Sequence, residues 1–222
     1  MGIPVLLIGK SGSGKSASMK RCVDKDFNLI RVLNKPLPFR GKINGWNTDD
    51  YQVVFKALKA APAKSVVIDD AGYLITNYFM KNHSTKGKGN DVFGLYNTLG
   101  DNFWSLIQFI VNQMPDDRIV YVVMHEDTDE FGNIRAKTIG KLLDDKICLE
   151  GMFTIVLRCV NNLSEHKFIT QSDGSAISKS PDDMFEAVEI PNDLLAVDNA
   201  IREYYGIENP KNKEKDNENQ EG

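Results

Sequence analysis

The sequence has few cysteines and histidines, and neither residue type is clustered. Cys22, Cys148 and Cys159 show no Cys-x-x-Cys or other metal-ligand spacing, and the histidines are far apart. Zinc-binding modules and disulfide-rich secreted domains both depend on such clusters. We therefore expect reduced cysteines in a cytosolic protein and no metal site built from cysteine and histidine.

Long hydrophobic runs and an excess of positive charge are also missing. No apolar run is long enough to span a bilayer, and residues 1–8 lack the basic start and cleavage site of a signal peptide. The formal net charge is −4, so no overall positive field attracts nucleic acid or membranes. We expect a cytoplasmic protein with no membrane partner, in which any nucleic-acid contact comes from local basic patches.

Apolar and charged residues are present in ordinary proportions. They make up 41% and 26% of the 222 residues, which suits a single α/β domain with its own core. From Asn209 onward, the chain alternates Lys, Glu, Asp and Asn without hydrophobic residues. We therefore predict a folded domain over residues 1–208 and a disordered charged tail over residues 209–222.

The most informative stretch is a loop rich in glycine and serine, directly after the apolar run at residues 3–8. It fits the pattern G-x-x-x-x-G-K-[ST] at every fixed position. Its three glycines let the backbone curl so that several N–H groups converge on a polyphosphate. The residues predicted to hold the nucleotide are Gly9, Lys10, Ser11, Gly12, Ser13, Gly14, Lys15 and Ser16.

Two side chains of this loop have predicted chemical roles. Lys15 is the expected catalytic cation at the terminal phosphates, and the Ser16 hydroxyl is an expected ligand of Mg²⁺. Residues 17–23 are predicted to form a helix whose N-terminal dipole favours the same anion. A turn that matches by chance is the alternative, but the preceding strand and the following helix favour a nucleotide-phosphate site.

A second motif lies roughly 50 residues further on, at residues 65–70. This β-branched strand ending in a carboxylate is the arrangement called Walker B, and Asp69 is predicted to join the Mg²⁺ shell directly or through water. Asp70 has two interpretations from sequence. It is either the general base for an attacking water or a helix-capping or surface carboxylate.

A third strand is predicted over residues 118–124, and it ends at His125 and Glu126. In P-loop ATPases, the strand beside Walker B often carries a polar residue near the γ-phosphate, where it detects hydrolysis. His125 is the predicted sensor. A histidine that only caps the strand is the alternative.

The remaining segments complete an α/β pattern. We predict a mostly parallel sheet flanked by helices, with a late antiparallel hairpin. The predicted elements are a strand at 27–33, a loop at 34–47, a helix from 51 to Pro62, a helix at 73–81, a loop at 81–90, a helix at 99–114, a turn-rich segment at 127–134, a hairpin at 153–160 and 166–170, and a helix capped by Asn192 and ending near Gly206.

Together these parts are similar to phage-encoded RecA-like P-loop ATPases, a group that includes Sak-type ATPases of single-strand annealing and recombination. The resemblance covers residues 3–205. It implies a RecA-like core that binds ATP and Mg²⁺, hydrolyses ATP, assembles into a ring or filament and engages single-stranded DNA, with a single-strand-binding protein as a further candidate partner. The supporting segments are the phosphate loop, 66–70, 124–126, 140–142, 168–170 and 179–181.

The resemblance also implies roles for cations. RecA-type ATPases complete their sites with a cation from a neighbouring subunit, and Arg158 and Lys179 are the candidates, with ordinary surface cations as the alternative. DNA-binding loops are expected after the Walker B strand and after His125, although from the residues alone a solvated segment is the favoured explanation of the first loop. The candidate DNA contacts are Lys81, Lys86, Lys88, Arg135, Lys137 and Lys141, with Tyr78, Phe79 and Phe131 for base stacking.

One departure from the family pattern concerns the base. Recombinases usually carry a glutamate base after the strand that follows the phosphate loop, and Leu33 and Asn34 stand there in this chain. Either Asp70 takes that role or hydrolysis is slow. The expected function is a Mg²⁺-dependent ATPase acting on single-stranded DNA in phage recombination, annealing or replication. The alternatives are a nucleotide-gated binding module without significant hydrolysis and a P-loop small-molecule kinase.

Overall fold

The computed structural model describes residues 1–86, 91–139, 148–162, 165–172, 174 and 176–208. Within them, nine strands form a sheet that helices cover on both faces. The strands are β1 (Ile3–Gly9), β2 (Phe27–Arg31), β3 (Gly45–Asn47), β4 (Ser65–Asp69), β5 (Ile119–Thr128), β6 (Ile134–Ala136), β7 (Ile155–Asn162), β8 (Glu165–Ile169) and β9 (Glu189–Pro191). The helices are α1 (Tyr51–Ala60), α2 (Gly72–Lys86), α3 (Asp91–Gln113) and α4 (Leu194–Tyr204), with 3₁₀ helices at Ser16–Cys22 and Glu150–Met152.

The strand order confirms the predicted fold class. Across the sheet it runs β3-β2-β4-β5-β1-β7-β8-β9, with β6 paired to β5. All neighbours from β3 to β7 are parallel, whereas the β7–β8, β8–β9 and β5–β6 pairs are antiparallel. This is an α/β fold with a mostly parallel sheet and a late antiparallel hairpin. The carboxyl ends of β1, β4 and β5 therefore meet at one edge.

The central strand is buried on both faces, as its continuous apolar sequence predicts. Side chains alternate along a strand, so Leu6 and Ile8 pack on one face, and Val5 and Leu7 pack on the other. All four are completely buried. Helices α1, α2 and α3 cover the first face, and α4 covers the second. This double cover holds the phosphate loop at the end of β1.

Two helix ends show how local sequence sets the fold. The Asp50 carboxylate accepts hydrogen bonds from the backbone N–H groups of Gln52 and Val53, at 2.7 and 3.3 Å, and so begins α1. The predicted cap of the last helix was wrong. Asp193, rather than Asn192, accepts from the first backbone N–H groups of α4.

Helix α2 is longer than predicted. Residues 81–86 continue it as helix where a loop was predicted, because no glycine or proline interrupts the chain before Gly87. Side chains also reach back along the helix: the Asn82 amide donates to the Tyr78 carbonyl at 2.8 Å, and His83 stacks on Phe79. Helix α3 likewise begins at Asp91 rather than at residue 99.

The helix after the phosphate loop is a 3₁₀ helix of seven residues, Ser16–Cys22, and begins one residue earlier than the helix predicted over 17–23. The chain leaves it through Asp24, whose φ of 58° is left-handed. The hydrogen-bond geometry of a 3₁₀ helix is poorer than that of an α-helix. Strands β3 and β9 were also not predicted. Strand β5 continues through His125 to Thr128 and forms a hairpin with β6 in place of the turn-rich segment.

Some predictions lie outside the described residues. These are Lys88, Lys141, the segment 140–142 and the tail 209–222, so the domain boundary at 208 stays a prediction. None of the helices in the described ranges combines the length and apolarity needed to cross a membrane.

A buried polar network attaches α4 to the sheet. The Asp198 carboxylate accepts hydrogen bonds from the Ser65 hydroxyl at 2.6 Å and the Tyr121 hydroxyl at 2.9 Å, and it pairs with Arg202 at 2.8 Å. Arg202 also donates to Ser65 at 2.8 Å. All four residues are buried, so each polar group depends on the others for its partners.

We expect Asp198→Ala to destabilise the protein by about 3–5 kcal/mol, since it leaves the buried Arg202 guanidinium without its carboxylate. Urea unfolding followed by circular dichroism measures this loss. Lys167→Ala is the control, because it breaks the exposed ion pair with Glu189 and should leave the unfolding midpoint nearly unchanged. Equal midpoints for the two variants would contradict the assignment.

Candidate functional site

The phosphate loop has the backbone conformation that its glycines allow. Gly12 and Gly14 have φ angles of 77° and 100°, in the left-handed region that other residues rarely adopt. Gly14 also has no room for a side chain, since a Cβ atom there would contact Asn192 and lie 2.7 Å from the His166 ring. The loop therefore needs glycine at position 14 for conformation and for space.

Lys15 is folded into this loop. Its ammonium donates to the carbonyl oxygens of Gly9 and Lys10 at 2.7 and 2.8 Å, and the residue is only 6% exposed. Burial lowers the pKa of Lys15, against the opposing effect of nearby acidic groups that include Asp70 and Asp69. A terminal phosphate would supply the missing anionic partner.

The side chains of Ser16 and Asp69 lie next to each other and present oxygen atoms of the kind that coordinate a metal ion. The Ser16 hydroxyl lies 3.1 and 3.0 Å from the two carboxylate oxygens of Asp69. Burial, followed by the charge of Asp70, raises the pKa of Asp69 to about 6. Mg²⁺ prefers oxygen ligands and commonly takes one or two carboxylates together with phosphates and water. The pair fits such an ion, and its role as a Mg²⁺ site stays a prediction.

The part of the chain that the structure describes contains no group of three or more His, Cys, Asp or Glu side chains that could hold a metal ion. Mg²⁺ in proteins usually keeps several waters and binds substrate phosphates, so an ion at Ser16 and Asp69 would take such ligands from the nucleotide and from water.

Asp70 is buried at the end of β4 and faces the loop. Its φ of 59° is left-handed, and it is only 3% exposed, which is inconsistent with a surface carboxylate. One carboxylate oxygen lies 2.5 Å from the Lys35 ammonium, and the other lies 3.6 Å from His125 Nε2. Burial opposes ionisation, but the effects of the nearby His125 and Lys35 prevail and lower the pKa of Asp70.

His125 connects the two halves of the site. Its Nδ1 lies 3.4 Å from the Lys15 ammonium, and the Tyr73 ring packs edge-on against the imidazole at 6.1 Å. The predicted place at a strand tip was wrong, because β5 continues to Thr128. Its neighbourhood is as predicted: β5 lies between β1 and β4, and His125 pairs with Gly9 in the sheet register. The sensor role itself stays a prediction.

Three contacts with the site were not predicted. Lys35, in the loop after β2, reaches Asp70; His166 on β8 lies 2.9 Å through Nδ1 from the Ser13 carbonyl; and Asn192 donates to the Gly14 carbonyl at 3.0 Å. Lys35 had a usable signal, because the carboxyl ends of parallel strands share one edge and it follows β2 closely. His166 and Asn192 come from distant sequence and had none.

Two cavities border the loop, and Lys35 and His125 line both. One has a volume of about 310 Å³ and includes Lys15, Ser16, Asp70 and His166 in its lining. The other, of about 570 Å³, includes Lys10, Tyr73, Glu126 and Lys137. A larger cavity of about 870 Å³ lies elsewhere, between residues 1–4 and 205–208, and contains none of the predicted site residues.

Comparison with protein families gives a match for most of the chain. A family model described as an AAA domain covers residues 1–187 of the 222. The chain belongs to this AAA domain family. The match includes the phosphate loop and strands β1 to β8, and it supports a P-loop ATPase that binds a nucleotide. No curated protein matches the chain.

The two predicted trans-acting cations of this AAA domain have contacts within their own chain. Arg158 forms a bidentate ion pair with the buried Glu126, in which two guanidinium nitrogens donate to the two carboxylate oxygens at 2.8 and 3.0 Å. The backbone of Lys179 forms reciprocal hydrogen bonds with Val156, at 2.8 and 2.9 Å. Their action on a neighbouring subunit stays a prediction.

The candidate DNA contacts of the AAA domain are spread over several elements. Lys81 lies on α2 and pairs with Asp49 at 2.7 Å, and Lys86 ends that helix. Arg135 lies on β6, and Lys137 follows it. Phe131 is 83% exposed at the hairpin turn, whereas Tyr78 and Phe79 pack partly buried against the core. Of the three aromatic residues, Phe131 presents the most open ring for stacking.

We expect Asp69→Asn to stabilise the Mg²⁺-free AAA domain at pH 8. The folded-state pKa of Asp69 is raised to about 6 from 3.8, so its contribution is most favourable below pH 4 and is lost as pH rises through 6. This pKa shift corresponds to an increase on the order of 2–3 kcal/mol in the free energy of unfolding when the ionised carboxylate is replaced by the neutral amide.

Urea unfolding at pH 8 and pH 4, without Mg²⁺, measures this effect. The advantage of Asp69→Asn should shrink at pH 4, where wild-type Asp69 is largely protonated, and the variant should lose Mg²⁺-dependent nucleotide binding. Asp127→Asn, an exposed acid on the same sheet edge, is the control. A variant that is less stable than wild type at both pH values would contradict the expectation.

Proposed function

We propose that this AAA domain is a Mg²⁺-dependent ATPase that acts on single-stranded DNA in phage recombination, annealing or replication. The observation that carries the proposal is the convergence of five side chains at the carboxyl edge of the sheet. Lys15 and Ser16 lie in the loop after β1, Asp69 ends β4 and Asp70 follows it, and His125 lies on the intervening β5. This set supplies a cation for the terminal phosphates and two oxygen ligands for Mg²⁺. It also supplies a carboxylate that can orient the attacking water and a polar side chain that can detect hydrolysis.

The chemistry proposed for this set is in-line attack of water on the γ-phosphate. Lys15 neutralises charge on the terminal phosphates, and Ser16 and Asp69 would hold Mg²⁺, which would supply further charge neutralisation when bound. Asp70, ionised and fixed in position, orients the attacking water. Positioning and charge neutralisation provide most of the acceleration in such reactions.

A structural route from nucleotide to DNA supports the second half of the proposal. The strand that carries His125 continues into the β5–β6 hairpin, and the backbone N–H of Lys137 donates to the His125 carbonyl at 2.7 Å. Phe131 is exposed at the hairpin turn, and Arg135 lies on β6. An open aromatic ring beside cations suits single-stranded DNA, whose bases stack and whose phosphates are anionic.

Assembly into a ring or filament is part of the same proposal. It would place Arg158 or Lys179 of one subunit at the site of the next, after release of the pair between Arg158 and Glu126. ATP binding would then order the interface together with the hairpin. A single-strand-binding protein is the further partner that this pathway suggests.

A nucleotide-gated binding module is the second candidate. Asp70 pairs with Lys35 and lies close to His125, and a carboxylate with a lowered pKa is a weak base. A small-molecule kinase ranks third. It would use the 570 Å³ cavity next to the loop for its acceptor.

We expect wild-type protein to hydrolyse ATP with Mg²⁺, faster in the presence of single-stranded oligonucleotide. Lys15→Ala should lose at least about 10²-fold in turnover, the typical loss for a preorganised charge partner. Phosphate release measures turnover, and size-exclusion elution in the same buffers follows assembly. The control is Lys64→Ala, because Lys64 is a partly exposed lysine paired with Asp117, remote from the loop.

Other results would point elsewhere. Tight ATP binding without turnover, and without any response to DNA, would contradict the ATPase and leave the nucleotide-gated module. Transfer of phosphate to an added nucleoside would favour the kinase.

We expect Phe131→Ala to weaken single-stranded DNA binding by about 1–3 kcal/mol for each base that stacks on the ring. Fluorescence anisotropy at several salt concentrations measures the affinity, and the salt dependence should keep its slope because no charge is removed. Trp104→Ala is the control, since Trp104 is 50% exposed but lies on α3. Equal losses for both variants would argue against a hairpin contact.

A further inference from the structure

The loop between β2 and β3 places a cation beside the phosphate loop. Lys35 lies four residues after the end of β2, and its ammonium contacts a carboxylate oxygen of Asp70 at 2.5 Å. Because Lys35 lines both cavities that border the loop, its side chain is within reach of a ligand in either one. No predicted role covers this residue.

The backbone around Lys35 is restricted. Pro36 and Pro38 follow it, and a residue before proline is confined to extended conformations. The Lys35 N–H also donates to the Leu33 carbonyl at 2.9 Å, and the Arg31 guanidinium reaches the Lys35 carbonyl at 3.5 Å. The backbone is therefore held, while the flexible side chain remains 51% exposed and able to change partner.

Lys35 belongs to a chain of charged and polar groups that ends inside the phosphate loop. Lys35 contacts one oxygen of Asp70, His125 lies 3.6 Å from the other, and the far side of His125 lies 3.4 Å from Lys15. The predicted position of the terminal phosphate is therefore flanked by Lys15 on one side and by the Lys35–Asp70 pair on the other.

Electrostatics make this pair sensitive to a nucleotide. A γ-phosphate in the loop brings negative charge towards Asp69 and Asp70, both only 3% exposed. Like charges at close range in a buried site repel strongly, and a nearby cation relieves this repulsion. Lys35 is a cation already in contact with Asp70, and its exposed side chain can share its ammonium with a phosphate oxygen.

We propose that Lys35 is a γ-phosphate-binding cation supplied by the same chain, which pairs with Asp70 when nucleotide is absent and binds the γ-phosphate when ATP is present. This inference rests on the proposed ATPase function and identifies the cation that would neutralise charge on the γ-phosphate. During hydrolysis, the water oxygen bonds to the γ-phosphorus as the bond to the β,γ-bridging oxygen breaks. ADP leaves with that electron pair, and the water proton passes through Asp70 to the product phosphate.

A purely structural ion pair is the competing explanation. In that case, Lys35 would hold the loop after β2 in place. Its loss would lower the stability of the protein and weaken the binding of ADP and ATP equally. The two explanations differ in their dependence on the γ-phosphate, because ADP lacks the group that Lys35 is proposed to bind.

The test compares wild type with Lys35→Ala, Lys35→Arg and the control Lys64→Ala. Isothermal titration gives the Kd values for Mg²⁺–ADP and for a non-hydrolysable ATP analogue, and phosphate release gives kcat. We expect Lys35→Ala to raise the Kd of the ATP analogue about tenfold or more and to change the Kd of ADP by no more than about threefold. The same substitution should lower kcat by about 10²-fold. Lys35→Arg keeps the charge and should recover part of both losses, and Lys64→Ala should match wild type.

The proposal is overturned if Lys35→Ala leaves kcat and analogue binding unchanged. It is also overturned if ADP and the analogue weaken equally together with a fall in Tm, as a structural pair requires. Failure of the proposed function is distinguishable from both outcomes. A wild type that binds the analogue without hydrolysing ATP contradicts the ATPase, whereas selective loss of analogue binding in Lys35→Ala would still support the γ-phosphate contact.

Discussion

The burial of opposite charges at one edge of the sheet is the constraint on which this site depends. Lys15, Asp69 and Asp70 are each at most 6% exposed, and the free energy cost of removing them from water is offset by neighbouring dipoles and charges. The offset is incomplete: burial lowers the pKa of Lys15 and raises that of Asp69 to about 6. An anionic phosphate and a divalent cation are the ligands that would relieve these two costs, which supports the proposed complex with Mg²⁺ and a nucleotide.

The conformation of the phosphate loop depends on residues that lie much later in the sequence. His166 contacts the Ser13 carbonyl, Asn192 donates to the Gly14 carbonyl, and Arg21 pairs with Asp193 at 2.6 Å. Asn192 and Asp193 lie beyond the stretch that matches the AAA domain family. The start of α4 therefore supports the nucleotide loop, and the buried network of Asp198 transmits the position of that helix to β4 and β5.

Local patterns predicted the parts of the structure that short-range forces decide. The apolar run of β1, the glycines of the loop, and the strand that ends in Asp69 could each be identified because their spacing has a direct backbone consequence. Strands β3 and β9 have three residues each, too few for a periodic signal. The position of Lys35 soon after β2 indicates that it lies at the carboxyl edge of the sheet, but its contact with Asp70 also requires β2 to lie next to β4, which the sequence does not give.

The residues that pair with Asp70 determine how strong a base it can be, and therefore whether the proposed ATP hydrolysis is slow or efficient. While Lys35 remains on Asp70, the nearby His125 and Lys35 lower the pKa of this carboxylate, which disfavours proton transfer from water. In the proposed exchange, a phosphate would draw Lys35 away, and Asp70 would keep its neighbour His125 but lose its closest ion pair, so that its basicity would rise. Lys35 would then pair with Asp70 when nucleotide is absent and with the γ-phosphate in the reacting complex. Such an exchange would make activation of the proposed base conditional on the γ-phosphate, which is the group that distinguishes ATP from its product.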